Sequence, residues 1–253
     1  MHTFVIAEIG SAWMFGPSPS VKMLDAVSIA KECGADAIKF QWVSNPRKME
    51  QRRHVPSGSY DILAWPILWL HPVAELADEL GIELMCTVFL KEDVETLNPY
   101  VKRWKVASLE CEDEELLDAL EDTGKSIIIS SGAMTFAMIP PLVKSSILHC
   151  TAAYPAPIDQ LNLKAIRLAG GYSDHSCNVL TGAIAVACGA YIVEVHFQLF
   201  NTPKDNPDFN HSLYPQQLTE YISNIRQAEH MLGDGIKKVE KCEEWALKHK
   251  VRS

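Results

Sequence analysis

Eight short runs of β-forming, mostly apolar residues recur along the chain, separated by stretches of helical character. The runs are 4–9, 35–40, 83–88, 103–107, 126–129, 146–149, 171–174 and 191–196, and helix-like segments lie at 21–33, 72–80, 113–123, 180–188 and 215–232. Strands alternating with helices pair in parallel, because parallel neighbours need a crossover connection. Gly34, Gly81, Gly124 and Gly189 each stand between a helix-like segment and the next strand, where a helix C-terminus favours a left-handed residue. Eight such units without a break in composition predict one (β/α)8 TIM barrel, residues 1–253 as a single domain. The charged tail 237–253 is expected to form one terminal helix.

Composition narrows the function. A formal net charge of −9 with no long Lys/Arg run argues against nucleic acid as a partner. The seven cysteines include no CxxC pair, which argues against a disulfide framework and a structural zinc site. The start MHTFVIAEIG lacks the basic-then-apolar pattern of a signal peptide, and the apolar run 62–70 is short and carries Pro66. No membrane association is expected, and a cytoplasmic enzyme is the default. An acidic protein that binds an anion must gather its positive charge in one place.

Barrel sites lie at the C-terminal ends of the strands, so polar residues there carry the argument. Lys39 sits in an otherwise apolar strand, and Lys105 repeats the arrangement two strands later. One such lysine could snorkel to water. Two at equivalent strand ends favour an anion pocket. Thr87, Ser130, Ser131, Thr151 and Ser173 gather at the same level; each alone could be a helix cap, but together with two lysines they could hold a phosphate and a carboxylate. Strand 7 ends in Ser173-Asp174-His175 and strand 8 in Glu194-Val195-His196, and alternation puts Ser173 with His175 and Glu194 with His196 on one face. A single histidine is more often structural, but a pair from adjacent strands beside carboxylates suits a divalent metal: Mn, or Mg, Co, Fe or Zn.

These elements spell a known pattern. Ala7-Glu8-Ile9-Gly10, Lys39-Phe40-Gln41, Lys105-Val106-Ala107-Ser108 with Glu110, Ser130-Ser131-Gly132, His149-Cys150-Thr151, Tyr154-Pro155, Tyr172-Ser173-Asp174-His175, Glu194 with His196-Phe197, and Pro207-Asp208 follow one another in order. The chain resembles the catalytic domain of the sialic acid (N-acetylneuraminate) synthase family. The resemblance implies a TIM barrel and a C–C bond-forming transferase that joins phosphoenolpyruvate to an aldehyde sugar such as N-acetylmannosamine, giving a 2-keto sugar acid and phosphate. By resemblance His175 and His196 bind the metal. Lys39, Thr87, Lys105, Ser108, Ser130, Tyr154 and Ser173 surround phosphoenolpyruvate, Glu8 and Asp208 face the sugar, and Glu110 lies near the reacting atoms as a catalytic group. A carboxylate that merely holds a lysine is the competing reading of Glu110.

The pattern also departs from the family. Ser11-Ala12-Trp13 replaces an Asn-His pair, Ala152 replaces an asparagine, and Phe209 follows Asp208 where the family has histidine. Trp13 and Phe209 are expected near the mouth, disfavouring N-acetylmannosamine, unless they pack into loops. The resemblance covers the barrel and not the family's C-terminal antifreeze-like domain, whose contribution would then come from a homodimer or a separate partner chain. A weakly active or inactive barrel that binds a ligand or partner is the alternative function.

Overall fold

The computed structural model describes residues 2–251. Strands β1 (Phe4–Glu8), β2 (Ala37–Gln41), β3 (Glu83–Thr87), β4 (Trp104–Val106), β5 (Ile127–Ser130), β6 (Ser145–Cys150), β7 (Gly170–Asp174) and β8 (Ile192–His196) close into a barrel in chain order. Every adjacent pair is parallel, and β1 meets β8 with Glu8 opposite His196. The α-helices are α1 (Pro19–Glu32), α2 (Pro46–Arg53), α3 (Leu70–Leu80), α4 (Asp93–Leu97), α5 (Glu114–Glu121), α6 (Ile166–Ala169), α7 (Thr181–Ala187), α8 (Pro215–Leu232) and α9 (Glu244–His249). The β5–β6 connection carries only a 3-10 turn, Phe136–Met138.

The two-residue period of the strands builds the interior in layers. Ile6, Ala37, Met85, Ile128, Leu148 and Ile192 pack together as a buried apolar floor. Gly171 completes this layer by lacking a side chain: a Cβ there would lie 2.3 Å from Leu148 Cδ2. Two residues further along the same strands stand Glu8, Lys39, Thr87, Ser130, Cys150, Ser173 and Glu194. The intervening residues, among them Val5, Ile38, Phe40, Val106, Ile129 and Val193, join the helices in the main core. One alternation thus sets an apolar plug beneath a polar layer at the strand ends.

Gly34, Gly81, Gly124 and Gly189 all have positive φ, as the sequence suggested. Gly81 caps α3 at φ 64°. The tail departs from expectation. After α8 it runs without regular structure until a 3-10 turn, Lys241–Glu243, and then the single short helix α9. Arg252 and Ser253 lie outside the described residues. Among the described residues Trp245 is 71% and Leu247 44% exposed, and a helix with so little packing is marginal at such length. The apolar run 62–70 forms short 3-10 turns broken at Pro66 and the start of α3. Among the described residues no helix is long and apolar enough to cross a membrane.

Candidate active site

A cavity of about 550 Å³ opens at the C-terminal ends of the strands. At its base four charges are buried together. Lys39 is ion-paired with Glu8, donates to Thr87 Oγ1 at 2.7 Å, and lies 3.6 Å from Glu194 Oε2. Lys105 donates to Ser130 Oγ at 2.8 Å and to the Val106 carbonyl at 3.0 Å, and lies 3.6 Å from Glu194 Oε1. Ser173 donates to the same Glu194 oxygen at 3.0 Å. Glu194 therefore bridges the two lysines.

The two lysines respond differently. Burial works to lower the Lys39 pKa, but Glu194 and Glu8 outweigh it and raise it. Burial also lowers Lys105, and there it wins, with Lys39 adding to the effect against Glu194. Burial alone would raise Glu194; Lys105 and Lys39 instead bring it down to about 2. Glu8 itself is fully buried below the cavity and accepts from Gly10 N at 2.7 Å and Gln41 Nε2 at 2.9 Å. It acts on the cavity through Lys39 and Gln41.

One wall is aromatic and imidazole-rich. The His175 and His196 rings are 5.3 Å apart, the Tyr154 ring lies 4.2 Å from His175, and His211 lies 4.9 Å from both His196 and Tyr154. His175 Nδ1 donates to the Thr151 carbonyl at 3.0 Å, which leaves the Nε2 lone pair free. Burial, helped by His196, holds the His175 pKa down at about 3, so its ring is neutral near pH 7. Asp208 Oδ1 lies 3.4 Å from His196 Nδ1 and 2.9 Å from His211 Nε2. Burial pushes His196 down, but the Asp208 carboxylate outweighs it and raises it. Burial likewise opposes ionisation of Asp208, and the two histidines hold it well below the usual carboxylate range.

Gly10 makes room for Asp208. At φ +51°, a Cβ on residue 10 would lie 2.7 Å from the Asp208 carboxyl carbon and both its oxygens. Gly10→Ala combines a left-handed backbone costing roughly 1–2 kcal/mol with displacement of that carboxylate. Urea unfolding is expected to show a loss of at least that size, and wild-type stability would contradict the packing.

Glu110 sits in the 3-10 turn Ser108–Glu110 but is not among the residues lining the cavity. It is buried and ion-paired with Arg53, the last residue of α2, whose side chain does line the cavity. The structure thus places Glu110 behind an arginine, where a lysine was the expected partner, and not on the cavity wall as a catalytic group. Burial raises the Glu110 pKa against the pull of Arg53. Arg53→Met leaves this carboxylate unpaired at a cost of roughly 1–3 kcal/mol. A carboxyl whose folded pKa is raised is most stabilising below its ordinary 4.5, and that stability is lost as pH rises. Chemical denaturation of Arg53→Met is therefore expected to show a large loss at neutral pH and a small one near pH 4.5. An equal loss at both would show that the charge is not the cause.

Thr87, Ser108, Ser130, Tyr154, Ser173 and Asp208 also line the cavity. Trp13 does not stand at the mouth. It is 1% exposed, donates to the Gly10 carbonyl, and packs edge-on against Phe40, Trp65 and Trp69 at 6.1, 5.6 and 6.3 Å. Phe209 faces Tyr214 at 6.5 Å and is also absent from the lining. Trp13 packs into the main core and Phe209 sits by Tyr214, so neither ring reshapes the pocket. Among the charged and imidazole residues of the lining, Arg53 and His211 are the two that neither strand-end reasoning nor the resemblance reaches. Arg53 belongs to a charged segment that reads as a solvated helix face. His211 lies well past β8, though its spacing from Asp208 is a signal: residues i and i+3 eclipse in a 3-10 turn, and Phe209–His211 is one.

Comparison with known proteins agrees with this architecture. The NeuB family model matches residues 26–237. An N,N'-diacetyllegionaminic acid synthase of Campylobacter jejuni is 32% identical over 279 residues, covering 96% of this chain and 81% of its own length. The human N-acetylneuraminate-9-phosphate synthase is 29% identical, covering 95% of this chain and 74% of its own. In structure, the N-acetylneuraminic acid synthetase of Leptospira borgpetersenii superposes with a TM-score of 0.84 over 98% of this chain and 91% of its own, at 23% identity, a likeness of fold. With the family model spanning most of the barrel and relatives above 30% identity along nearly its whole length, the chain belongs to the NeuB family.

Proposed function

We propose that the chain condenses phosphoenolpyruvate with an aldehyde sugar, N-acetylmannosamine-like or modified, to give a 2-keto sugar acid and phosphate. The observation that carries this is the buried Lys39–Lys105 pair at the base of a cavity whose wall is a cluster of imidazoles and a carboxylate. The names of the relatives, synthases of legionaminic, pseudaminic and N-acetylneuraminate-type acids, support the reaction class.

Phosphoenolpyruvate is a multiply charged anion with a carboxylate and a phosphate. Lys39 and Lys105, with the hydroxyls of Thr87, Ser130, Ser173 and Ser108, supply donors fixed in advance in a site removed from water, where each is worth more than in solution. Glu8 and Glu194 hold the two ammonium groups in place. These four charges are formally balanced, so binding an anion calls for a further positive centre nearby.

The residues of the imidazole wall fit a divalent metal. His175 is neutral with Nε2 free, and His196 Nδ1 is buried without a hydrogen-bond partner, close to Asp208. We assign His175 and His196 as residues that would hold such an ion, which when bound would polarise the aldehyde oxygen. In the condensation, C3 of phosphoenolpyruvate forms the bond to the aldehyde carbon, water adds at C2, and phosphate leaves. Lys39 and Lys105 stabilise negative charge through that sequence, and Asp208 and Arg53 face the acceptor. Tyr154 packs on His175 and fixes the position of that ring. Phosphate release from phosphoenolpyruvate, assayed with Mn and a panel of aldehyde sugars, tests the proposal. Sugar-dependent release supports it; no release with any sugar, together with no phosphoenolpyruvate binding by calorimetry, overturns it.

A further inference from the structure

We propose that Asp208 and His211 are themselves metal ligands, forming with His196 a three-residue site, so that the metal is not carried by the His175–His196 pair alone. This rests on the reading that a divalent ion occupies the cavity wall.

The geometry is specific. His196, Asp208 and His211 each offer a ligand atom, and these atoms all lie within 4.8 Å of one another. Ligands about 2.0–2.2 Å from a common ion stand a little over 3 Å apart, and the Asp208 contacts of 3.4 and 2.9 Å to the two histidines match that spacing. His196 and His211 are 6% and 8% exposed, so neither imidazole is a surface group.

Asp208 is built as a fixed donor. Its Oδ2 accepts from the Ser11 backbone N–H at 2.7 Å and from the Ser11 hydroxyl. Its own N–H donates to Asn206 Oδ1 at 2.9 Å, and Asn206 in turn donates to the Ser11 carbonyl. One oxygen is thereby committed to the scaffold, and the other, Oδ1, is turned toward both imidazoles. A carboxylate that served only to orient His196 would hydrogen-bond its Nδ1. That atom instead is buried without a hydrogen bond, which is the state of a nitrogen placed for a ligand it shares with Asp208. His211 Nε2 hydrogen-bonds the same oxygen at 2.9 Å, because the 3-10 turn Phe209–His211 brings it over Asp208; ligation there requires the ion to replace the shared proton.

Cobalt(II) is the probe, since its visible absorption reports the donor set directly. The wild-type protein is expected to bind one Co(II). His211→Gln is expected to change the Co(II) spectrum and weaken binding by more than about a hundredfold, the upper end for losing a group that merely orients a ligand. His211→Cys, which keeps a donor at this position, is expected to gain a thiolate-to-cobalt charge-transfer band in the near ultraviolet. It serves as the test should His211→Gln fail to fold, as judged by circular dichroism. A Co(II) spectrum unchanged in folded His211→Gln, no new band in His211→Cys, or no Co(II) binding by the wild type overturns the proposal. The spectra and the phosphate-release assay fail separately. Turnover with unchanged spectra leaves the function and removes these ligands, whereas the expected spectra without turnover keep the site and remove the reaction.

Discussion

Lys105→Met is expected to weaken phosphoenolpyruvate binding by at least about tenfold, since a charge-assisted contact is worth roughly 1.5–3 kcal/mol. With Lys39→Met added, the loss should reach about a hundredfold to ten-thousandfold, if the two contacts are independent. Stability should fall as well, because Glu194 lies between both ammonium groups and removing one partner of a buried pair costs roughly 3–5 kcal/mol. The two effects can be separated. Lys105→Met combined with Glu194→Gln removes the excess buried negative charge and should recover much of the stability without recovering affinity. Calorimetry and urea unfolding on the same variants check this. Unchanged affinity in both single Lys→Met variants would remove the lysine pair from the anion site.

The second large effect concerns metal. The double variant His175→Ala/His196→Ala is expected to lose most bound metal and to lower turnover by about a thousandfold or more, since polarisation of a carbonyl by an ion supplies several kcal/mol. Metal analysis beside the phosphate assay is the check, and equal metal content in variant and wild type would end the assignment. Ligation needs neutral imidazole, so protons compete with the ion. His196 is raised above its ordinary 6.5 by Asp208, so that competition should begin near neutral pH and strengthen as pH falls. His175, held at about 3, should contribute to it only in strong acid.

The barrel was legible because its signal is repeated and local. Each strand announces itself by β-forming residues, and four of them also by a glycine that ends the preceding helix, and an error of one or two residues at an edge leaves the topology intact. Lys39 and Lys105 were legible for a related reason: charge inside an apolar strand is costly, so its presence implies a purpose; Glu194 reads only as a neighbour of His196, whereas it lies between the two lysines. What was missed depends on loops. Nothing in a run of charged residues shows that Arg53 turns inward to Glu110, because that pairing joins segments 57 residues apart in sequence. The sequence does not place Trp13, because a ring next to a strand end can face the mouth or the core, and only the presence of Phe40, Trp65 and Trp69 around it decides. Charge and length favour one helix for the tail, but they carry no information on whether a surface exists to pack it.

The loop after β8 is tied to the loop after β1 by Ser11, Asn206 and Asp208, and again where Thr202 donates to the Ala12 carbonyl. The seam of the barrel and one wall of the cavity are therefore the same piece of structure. During folding, β1 must wait for β8, about 190 residues later, before Asp208 has a place to sit. Closing so long a loop is slow compared with pairing neighbouring strands. The cavity should accordingly be among the last features to form and, on local opening of the β1–β8 seam, the first to come apart. Amide exchange at Ser11 and Asp208 would then slow when a ligand binds, while exchange in β3 to β5 would scarcely change, so that occupancy is recorded as mechanical closure of the ring.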